Sequence, residues 1–493
     1  MIQANLPALQ VVIPLLAAPV CLLIRRSDWA WGFALLVTWA TFAIALALLF
    51  QVNAEGVISY PLGNWAAPWG IEYKVDLLSA FLLVIVSGIG SVAMPYARIS
   101  VEHEVPWPRI YLFYTMYLLC LTGLLGIAIT GDVFNLFVFL EISSLSSYVL
   151  IALGKDRRAL TAAFRYLIMG TIGATFYVLG VGLMYMMTGS LNIADLATLM
   201  PAVYETRTIQ AALAFLIIGL GLKLALFPLH LWLPNAYTYA PSVVTIFLAA
   251  TATKVAVYAF VRIIFTVFGQ VQVLHKEILD DALMLMAVAA MFIGSLVAVY
   301  QTNLKRMLAY SSIAQVGYMV LGISFISVTG LTGGIIHLFN HAVVKGALFM
   351  ALGCIFLRTG SVYIEDLAGI GKRMPITMAS FVICGLGLIG VPLTVGFISK
   401  WYLILAALEG GMWFLAVLIL LSSLIAVIYV WRVVEAAYFQ APPANAPDIA
   451  EAPLTMQVPM WLLTAASVYF GIDATRTVGI ARSAAEFLLK ATP

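Results

Sequence analysis

The sequence predicts an all-α polytopic membrane protein of about fourteen transmembrane helices, and three observations carry that prediction. Apolar side chains make up 63% of the 493 residues and charged ones only 10%, against roughly 25% charged in soluble domains. Mean hydropathy is +1.06. Apolar runs of about 20 residues, each long enough for a hydrocarbon core of roughly 30 Å, recur along the whole chain. Lipid offers no partner to backbone polar groups, so each run is expected to be helical. The net charge of +3 is too small to point to nucleic acid.

In order, the expected spans are 6–24, 30–51, 76–96, 109–130, 132–153, 160–187, 209–227, 242–266, 280–300, 307–327, 331–357, 375–407 (interrupted), 412–433 and 455–473. The opening MIQANLPALQ lacks a basic n-region, which makes the first run a retained span rather than a signal peptide. The loops after spans 1, 3, 5, 9, 11 and 13 hold Arg25, Arg26, Arg98, Arg109, Lys155, Arg157, Arg158, Lys305, Arg306, Arg358, Lys372, Arg373 and Arg432. The opposite loops hold only Lys74, Arg207 and Lys276. The positive-inside rule then puts the first set in the cytoplasm and both termini outside it. Arg165 and Arg262, near span ends, are expected to snorkel. Residues 441–459, rich in Pro, Ala and acids, read as a cytoplasmic loop before the last span. Cys21, Cys120, Cys354 and Cys384 show no metal or redox spacing and read as small core residues.

The stretch 219–254, GLGLKLALFPLHLWLPNAYTYAPSVVTIFLAATATK, departs from a plain span. An apolar helix carrying Lys223 is interrupted at Pro228 and Pro234, with His230 between them, because proline removes a backbone donor and clashes with the preceding turn. The chain turns at Tyr239-Ala240-Pro241 and re-enters an apolar run carrying Lys254. Span 12 has a second interruption, at Pro392. GLGLK (219–223) resembles GLGLI (385–389), and KVAVYAFVR (254–262) resembles LIAVIYVWR (424–432), at offsets of 166 and 170 residues. These offsets map spans 4–8 onto spans 9–13, and an odd number of spans per copy forces two inverted five-helix repeats with broken helices 7 and 12. The expected organisation is 1–105 (spans 1–3), 106–270 (repeat one), 271–440 (repeat two) and 441–493 (loop, span 14 and short tail). Paired interrupted helices in two halves point to a transport site.

The ionisable residues inside spans form one series. Glu141 lies mid-span in FNLFVFLEISSLSSYVLIAL, with Ser144 and Tyr148 following at i+3 and i+7 on one face. It reads either as a structural carboxylate or as a proton or ion relay, and intramembrane charges are functional by default. Lys223 is its natural partner. Lys254 has no counter-ion in its own helix. A buried lysine whose carboxylate partner can approach or retreat is a proton switch, because burial disfavours the ammonium and a carboxylate favours it. In GGIIHLFNHAVVKGALFM, His337, His341 and Lys345 fall at i, i+4 and i+8 on one helix face. No third metal ligand stands at suitable spacing, so no metal site is expected, and a proton wire through the histidines is the reading preferred. Lys400, in GVPLTVGFISKWYLI, stands just past Pro392. Glu141, Lys223, Lys254, the histidine face and Lys400 would make a lateral chain of ionisable groups, with His230, Ser144 and Tyr148 as an access path.

At these residues the chain resembles the antiporter-like membrane subunits shared by Mrp-type cation/proton antiporters, respiratory complex I and membrane-bound hydrogenases. The matching stretches are VDLLSAF (75–81), LFVFLEISSLSSY (136–148), KLALFPLHLWLPNAYTYAPS (223–242), LKRMLAYSSIAQVGYM (304–319), HLFNHAVVKGALF (337–349) and GFISKW (396–401). The resemblance implies a fourteen-helix fold with two inverted repeats, and functional roles at Glu141, Lys223, Lys254, His337, His341 and Lys400. Lys345 matches a lysine found in only some members. Members often carry two prolines where Val391-Pro392-Leu393 stands and an acid where Asn303 stands. Lysine rather than glutamate at 400 argues against the M-type complex I subunit, and the short C-terminus argues against the L-type and the large A-type Mrp subunit. TGSLNIADLATL (188–199) looks most like the D-type subunit of Mrp antiporters or the equivalent subunit of membrane-bound hydrogenases.

The expected function is therefore that of a proton-translocating subunit, the D-type subunit of a monovalent cation (Na+)/proton antiporter, multi-pass in a bacterial or archaeal inner membrane. Other membrane subunits are the expected partners, protons and Na+ the expected ions. No cofactor and no redox or hydrolytic site of its own is expected. The alternative is a proton-pumping subunit of a redox-driven complex.

Overall fold

The computed structural model describes residues 3–269, 281–442 and 449–490. Lys276 and part of the expected loop, 443–448, lie outside the described residues. Twelve described helices are long and apolar enough to cross a membrane, and they coincide with spans 1–11 and 13. Span 12 is two 15-residue helices, Pro375–Ile389 and Val395–Glu409, each too short alone. Span 14 is Leu454–Ile472, made less apolar by Gln457, Thr464 and Ser467. Beyond it, Thr475–Lys490 forms an amphipathic helix that packs on spans 3 and 11. All four cysteines are free and buried.

The chain is not wholly helical. Strands β1 (Ile58–Pro61) and β2 (Glu72–Val75) pair antiparallel between spans 2 and 3. This connection lies beyond the apolar runs, where backbone groups can pair with one another outside a helix.

The two halves share a hydrogen-bond pattern that the sequence similarity only suggested. Span 5 (Val133–Ala152) starts after Asp132, whose carboxylate accepts from the Asn135 N–H, 2.6 Å. Span 10 (Leu304–Ser324) starts after Asn303, whose side chain accepts from the Arg306 N–H, 3.1 Å. Each start is tied to the segment that leaves the next span. Val133 N–H donates to Leu191 O and Ile193 N–H to Gly131 O. In the second half, Leu304 N–H donates to Val362 O and Ile364 N–H to Thr302 O, all at 2.9 Å. The first set adjoins Glu72, whose carboxylate accepts from Asn192 (3.1 Å). The second lines a cavity with Glu104. Glu72 precedes span 3 (Leu77–Glu104, 28 residues) and Glu104 ends it, about 42 Å away at 1.5 Å per residue. The equivalent junctions therefore lie on opposite sides of the membrane, as inversion requires.

The helix breaks are also alike. The first part of span 7 (Arg207–Leu224) ends at Ala225, φ +58, with Leu226 N–H closing onto Gly221 O; the helix resumes at Leu233–Tyr239. In span 12, Gly390 (φ +92) and Val391 close onto Leu386 O in the same way. Pro228 and Pro392 lie within the unwound links, while Pro234 starts the second part of span 7, where its missing N–H costs nothing. Spans 6 (Arg158–Thr188) and 7 cross where Gly219 meets Gly173: a Cβ on Gly219 would stand 2.7 Å from Gly173 O. That close approach, typical of small residues in membrane helices, seats Lys223 one turn further on.

Span 8, expected to be continuous, is broken as well. Ser242–Ala250 and Ala252–Val261 meet at Thr251 (φ −123, ψ −55), and a π-helical turn follows at Arg262–Val267. No proline or glycine marks this break.

Candidate functional site

Lys223 Nζ lies 3.3 Å from Glu141 Oε1 and donates to Ser144 Oγ at 2.7 Å. The expected pair is thus in place, and Ser144 binds the lysine directly rather than serving only as an access path. The Lys223 side chain is 4% exposed and that of Glu141 25%. Tyr148, one turn beyond Ser144, has no hydrogen-bond partner among the described residues; its ring meets Tyr166 edge-on at 4.6 Å, and Tyr166 stacks on Trp232 at 3.9 Å. His230 is buried in the unwound link of span 7, stacked on Phe227. The structure joins it to neither Glu141 nor Lys223.

A cavity of about 20 Å³ extends from Lys223 and Ser144 to Ala252, Val255 and Ala256 on span 8. That is room for about one water with polar partners. These span-8 residues flank Lys254, which is fully buried. Its ammonium donates to Ala249 O, a carbonyl left free by the break at Thr251, and reaches Thr253 Oγ1 at 3.5 Å. The break therefore supplies the acceptor that Lys254 lacks in side chains.

Span 11 (Val328–Thr359) carries the histidine face. His337 hydrogen-bonds Ser399 Oγ (2.8 Å) and Gln315 Oε1 (3.0 Å). His341 is stacked on His337 with centroids 6.2 Å apart, and neither of its ring nitrogens has a partner among the described residues. A small void of about 10 Å³ separates the two histidines from the break in span 12. Lys345 donates to Leu308 O (2.7 Å) and to Ser311 on span 10. Lys400 donates to Ile389 O (2.7 Å), Leu388 O (3.2 Å) and Ser423 Oγ (2.9 Å), with its ammonium 4.8 Å over the Tyr318 ring. Both Lys254 and Lys400 are thus held by carbonyls that a helix break exposes. Among the described residues no three His, Cys, Asp or Glu side chains gather as a metal would need.

Nothing in the sequence singles out Gln315, Ser311, Ser399 and Ser423. Ser399 adjoins Lys400, and Gln315 lies inside LKRMLAYSSIAQVGYM, but serine and glutamine in apolar helices carry no distinguishing pattern. Two further sequence expectations are overturned. Arg262 does not snorkel: it is buried and paired with Asp76, and it also donates to Ser79 Oγ (3.0 Å). Burying the guanidinium is tolerable because a carboxylate, a hydroxyl and the Tyr258 ring surround it. Lys305, expected in a loop, is buried 3.8 Å from Glu104 and donates to Ala240 O (3.2 Å). Glu104 also accepts from the Ser242 N–H (2.9 Å), which anchors the start of span 8. This anchor lines a cavity of about 330 Å³, at whose rim the Arg158 guanidinium, hydrogen-bonded to Asp156, holds that carboxyl below the usual range.

Comparison with known proteins finds relatives that span nearly the whole chain. The sequence is 43% identical over 484 residues to the N subunit of NADH-quinone oxidoreductase from Desulforudis audaxviator (95% of this chain, 96% of that one). It is 31% identical over 441 residues to the D-type subunit of the Na(+)/H(+) antiporter from Alkalihalophilus pseudofirmus (88% and 87%). The fold matches a chain of the Mrp complex from Dietzia sp. DQ12-45-1b with a TM-score of 0.91 at 26% identity, covering 100% and 98% of the two chains. Residues 130–426, which hold every ionisable group of the series above, match the family model "NADH:quinone oxidoreductase/Mrp antiporter, TM", and to that family this membrane protein belongs.

Proposed function

We propose that this chain is a proton-translocating subunit of a multisubunit membrane complex, the D-type subunit of a monovalent cation/proton antiporter. The observation that carries the reading is the buried Lys223 ammonium held by Glu141 and Ser144. A charge in that position is costly unless paired, and Glu141 sits on a helix face with exposed Phe134, Val138, Leu145 and Val149. A carboxylate a quarter exposed at that depth needs protein rather than lipid against it, which supports a neighbouring membrane subunit there.

In this reading, movement of Glu141 away from Lys223 destabilises the ammonium, and its proton passes through water in the small cavity to Lys254. His341, with both nitrogens free of partners among the described residues, accepts a proton by way of water. His337 relays it along Ser399 toward Lys400 and the opposite side of the membrane. Lys345 tunes the wire from the side. The D-type assignment rests on TGSLNIADLATL, on Lys400 and on the similarity to a D-type antiporter subunit. A second reading, the proton-pumping subunit of a redox-driven complex, is favoured by the 43% identity to an N subunit of NADH-quinone oxidoreductase.

One experiment tests both levels. The complex is purified with its partners and reconstituted, and proton movement is followed with Na+, K+ or a quinone reductant as driver. Cation-driven proton movement that is lost in Glu141→Ala and Lys223→Ala supports the antiporter reading. Movement only with the reductant supports the second. Undiminished movement in both variants overturns the role given to the pair.

A further inference from the structure

Spans 1 and 2 lie outside both repeats and carry none of the groups used above. Between them is a two-residue connection, Arg25 and Arg26, with span 1 ending at Ile24 and span 2 starting at Ser27. Both arginines are exposed and line a cavity of about 430 Å³ together with Asp28, Trp29, Trp107 and Tyr111. Asp28, the carboxylate there, is already engaged by Arg98 at 3.1 Å, and Arg98 lies over Trp31 as well. No side-chain partner holds either Arg25 or Arg26 among the described residues. The concavity is thus lined by two unneutralised guanidinium groups and two largely exposed indoles, Trp29 (70%) and Trp107 (67%). Trp at this depth marks the membrane–water interface. The cavity lies at the Glu104 end of span 3, the side on which the basic loops gather.

An apolar stripe on span 1 runs toward this cavity. Leu16, Val20 and Leu23 on span 1 stand at i, i+4 and i+7 and are all exposed, Leu23 at 79%. A ligand that fits would be amphiphilic, with an anionic head between the arginines and acyl chains along that stripe. Arginine recognises phosphate by paired N–H donors, and basic pockets between membrane helices on the cytoplasmic side bind anionic lipid headgroups.

We infer that the cavity bounded by Arg25, Arg26, Trp29 and Trp107 is a binding site for an anionic phospholipid of the cytoplasmic leaflet. The inference is independent of the proton-transfer reading, since none of its residues belongs to that site.

The test uses the delipidated complex in non-ionic detergent, titrated with dioleoyl phosphatidylglycerol or dioleoyl phosphatidylcholine. Native mass spectrometry and thermal unfolding read the binding. Phosphatidylglycerol is expected to bind more tightly than phosphatidylcholine, and Arg25→Gln/Arg26→Gln to weaken it about 30-fold while leaving phosphatidylcholine binding as it was. Raised salt should narrow the difference, because the site is open to solvent. Arg476→Gln/Arg482→Gln, exposed at the other end of the chain, should change nothing. Trp29→Ala/Trp107→Ala keeps the charges that orient span 1, and it should weaken both lipids. Equal affinity for the two lipids would overturn the inference. So would unaltered phosphatidylglycerol binding in Arg25→Gln/Arg26→Gln, or the same stabilisation by inorganic phosphate alone. Protection of Arg25 and Arg26 from chemical modification in the lipid-free complex would assign the surface to a neighbouring protein of the complex and overturn it too.

Discussion

Replacing Glu141 by glutamine removes the counter-charge of Lys223 and leaves its shape. At 3.3 Å and an effective dielectric near 20, the attraction between the two unit charges is about 5 kcal/mol. Glu141 is 25% exposed, so water screens part of it, and about 3 kcal/mol is the expected loss for the ammonium form. That is roughly a hundredfold in the ratio of protonated to neutral Lys223 at a given pH. The Ser144 hydrogen bond remains, so the pocket should not collapse. The assay is proton-coupled transport by the reconstituted complex, with subunit stoichiometry checked by gel filtration. Glu141→Gln should slow transport at least tenfold with assembly unchanged. Because the two residues act as a pair, Glu141→Gln/Lys223→Gln should be no slower than Lys223→Gln alone. Additive losses in that cycle, or full activity in Glu141→Gln, would refute the coupling of the two side chains.

Three further outcomes are expected. Asp76→Asn should lower thermal stability by about 3–5 kcal/mol, because it strands the buried Arg262 guanidinium, and the added Arg262→Gln should restore part of it in unfolding scans of the complex. Gly396→Ala should impair both stability and transport, since its Cβ would stand 1.8 Å from Gly387 O across the span 12 break; overpacking of that kind costs about 1–3 kcal/mol. Gly182→Ala meets nothing within 4 Å and should be silent in both assays. His341→Leu removes a buried ring with two unpartnered nitrogens, so thermal stability should hold or rise while transport falls, whereas His337→Leu breaks two hydrogen bonds and should cost about 1–3 kcal/mol.

Much of the proposed ion path is readable from the sequence because charges are rare in apolar runs. Glu141, Lys223, Lys254 and Lys400 stand out against such a background without any knowledge of the fold, and the prolines at 228 and 392 mark the breaks in spans 7 and 12 by chemistry that acts locally. The inversion of the two halves follows from an odd number of spans, and the twin junctions at Asp132 and Asn303 display it. What holds each lysine is not readable. Lys254 and Lys400 are bound by backbone carbonyls, and every residue has a carbonyl. At these two positions a helix break frees the carbonyl that accepts, and the break at Thr251 has no proline or glycine to announce it. Ser144, Ser399, Ser423 and Gln315 are ordinary residues in their helices until packing brings a lysine or histidine to them.

Arg262 shows the same division. Near the end of an apolar run it looks like a snorkelling residue, yet its partner Asp76 is 186 positions away, and only the packing of spans 3 and 8 brings them together. Hydropathy, proline and the scarcity of charge act along the chain, so the sequence alone determined the membrane class, the spans and the ionisable series. Which groups neutralise one another depends on distances of a few ångströms between helices remote in sequence, and those the tertiary structure decided.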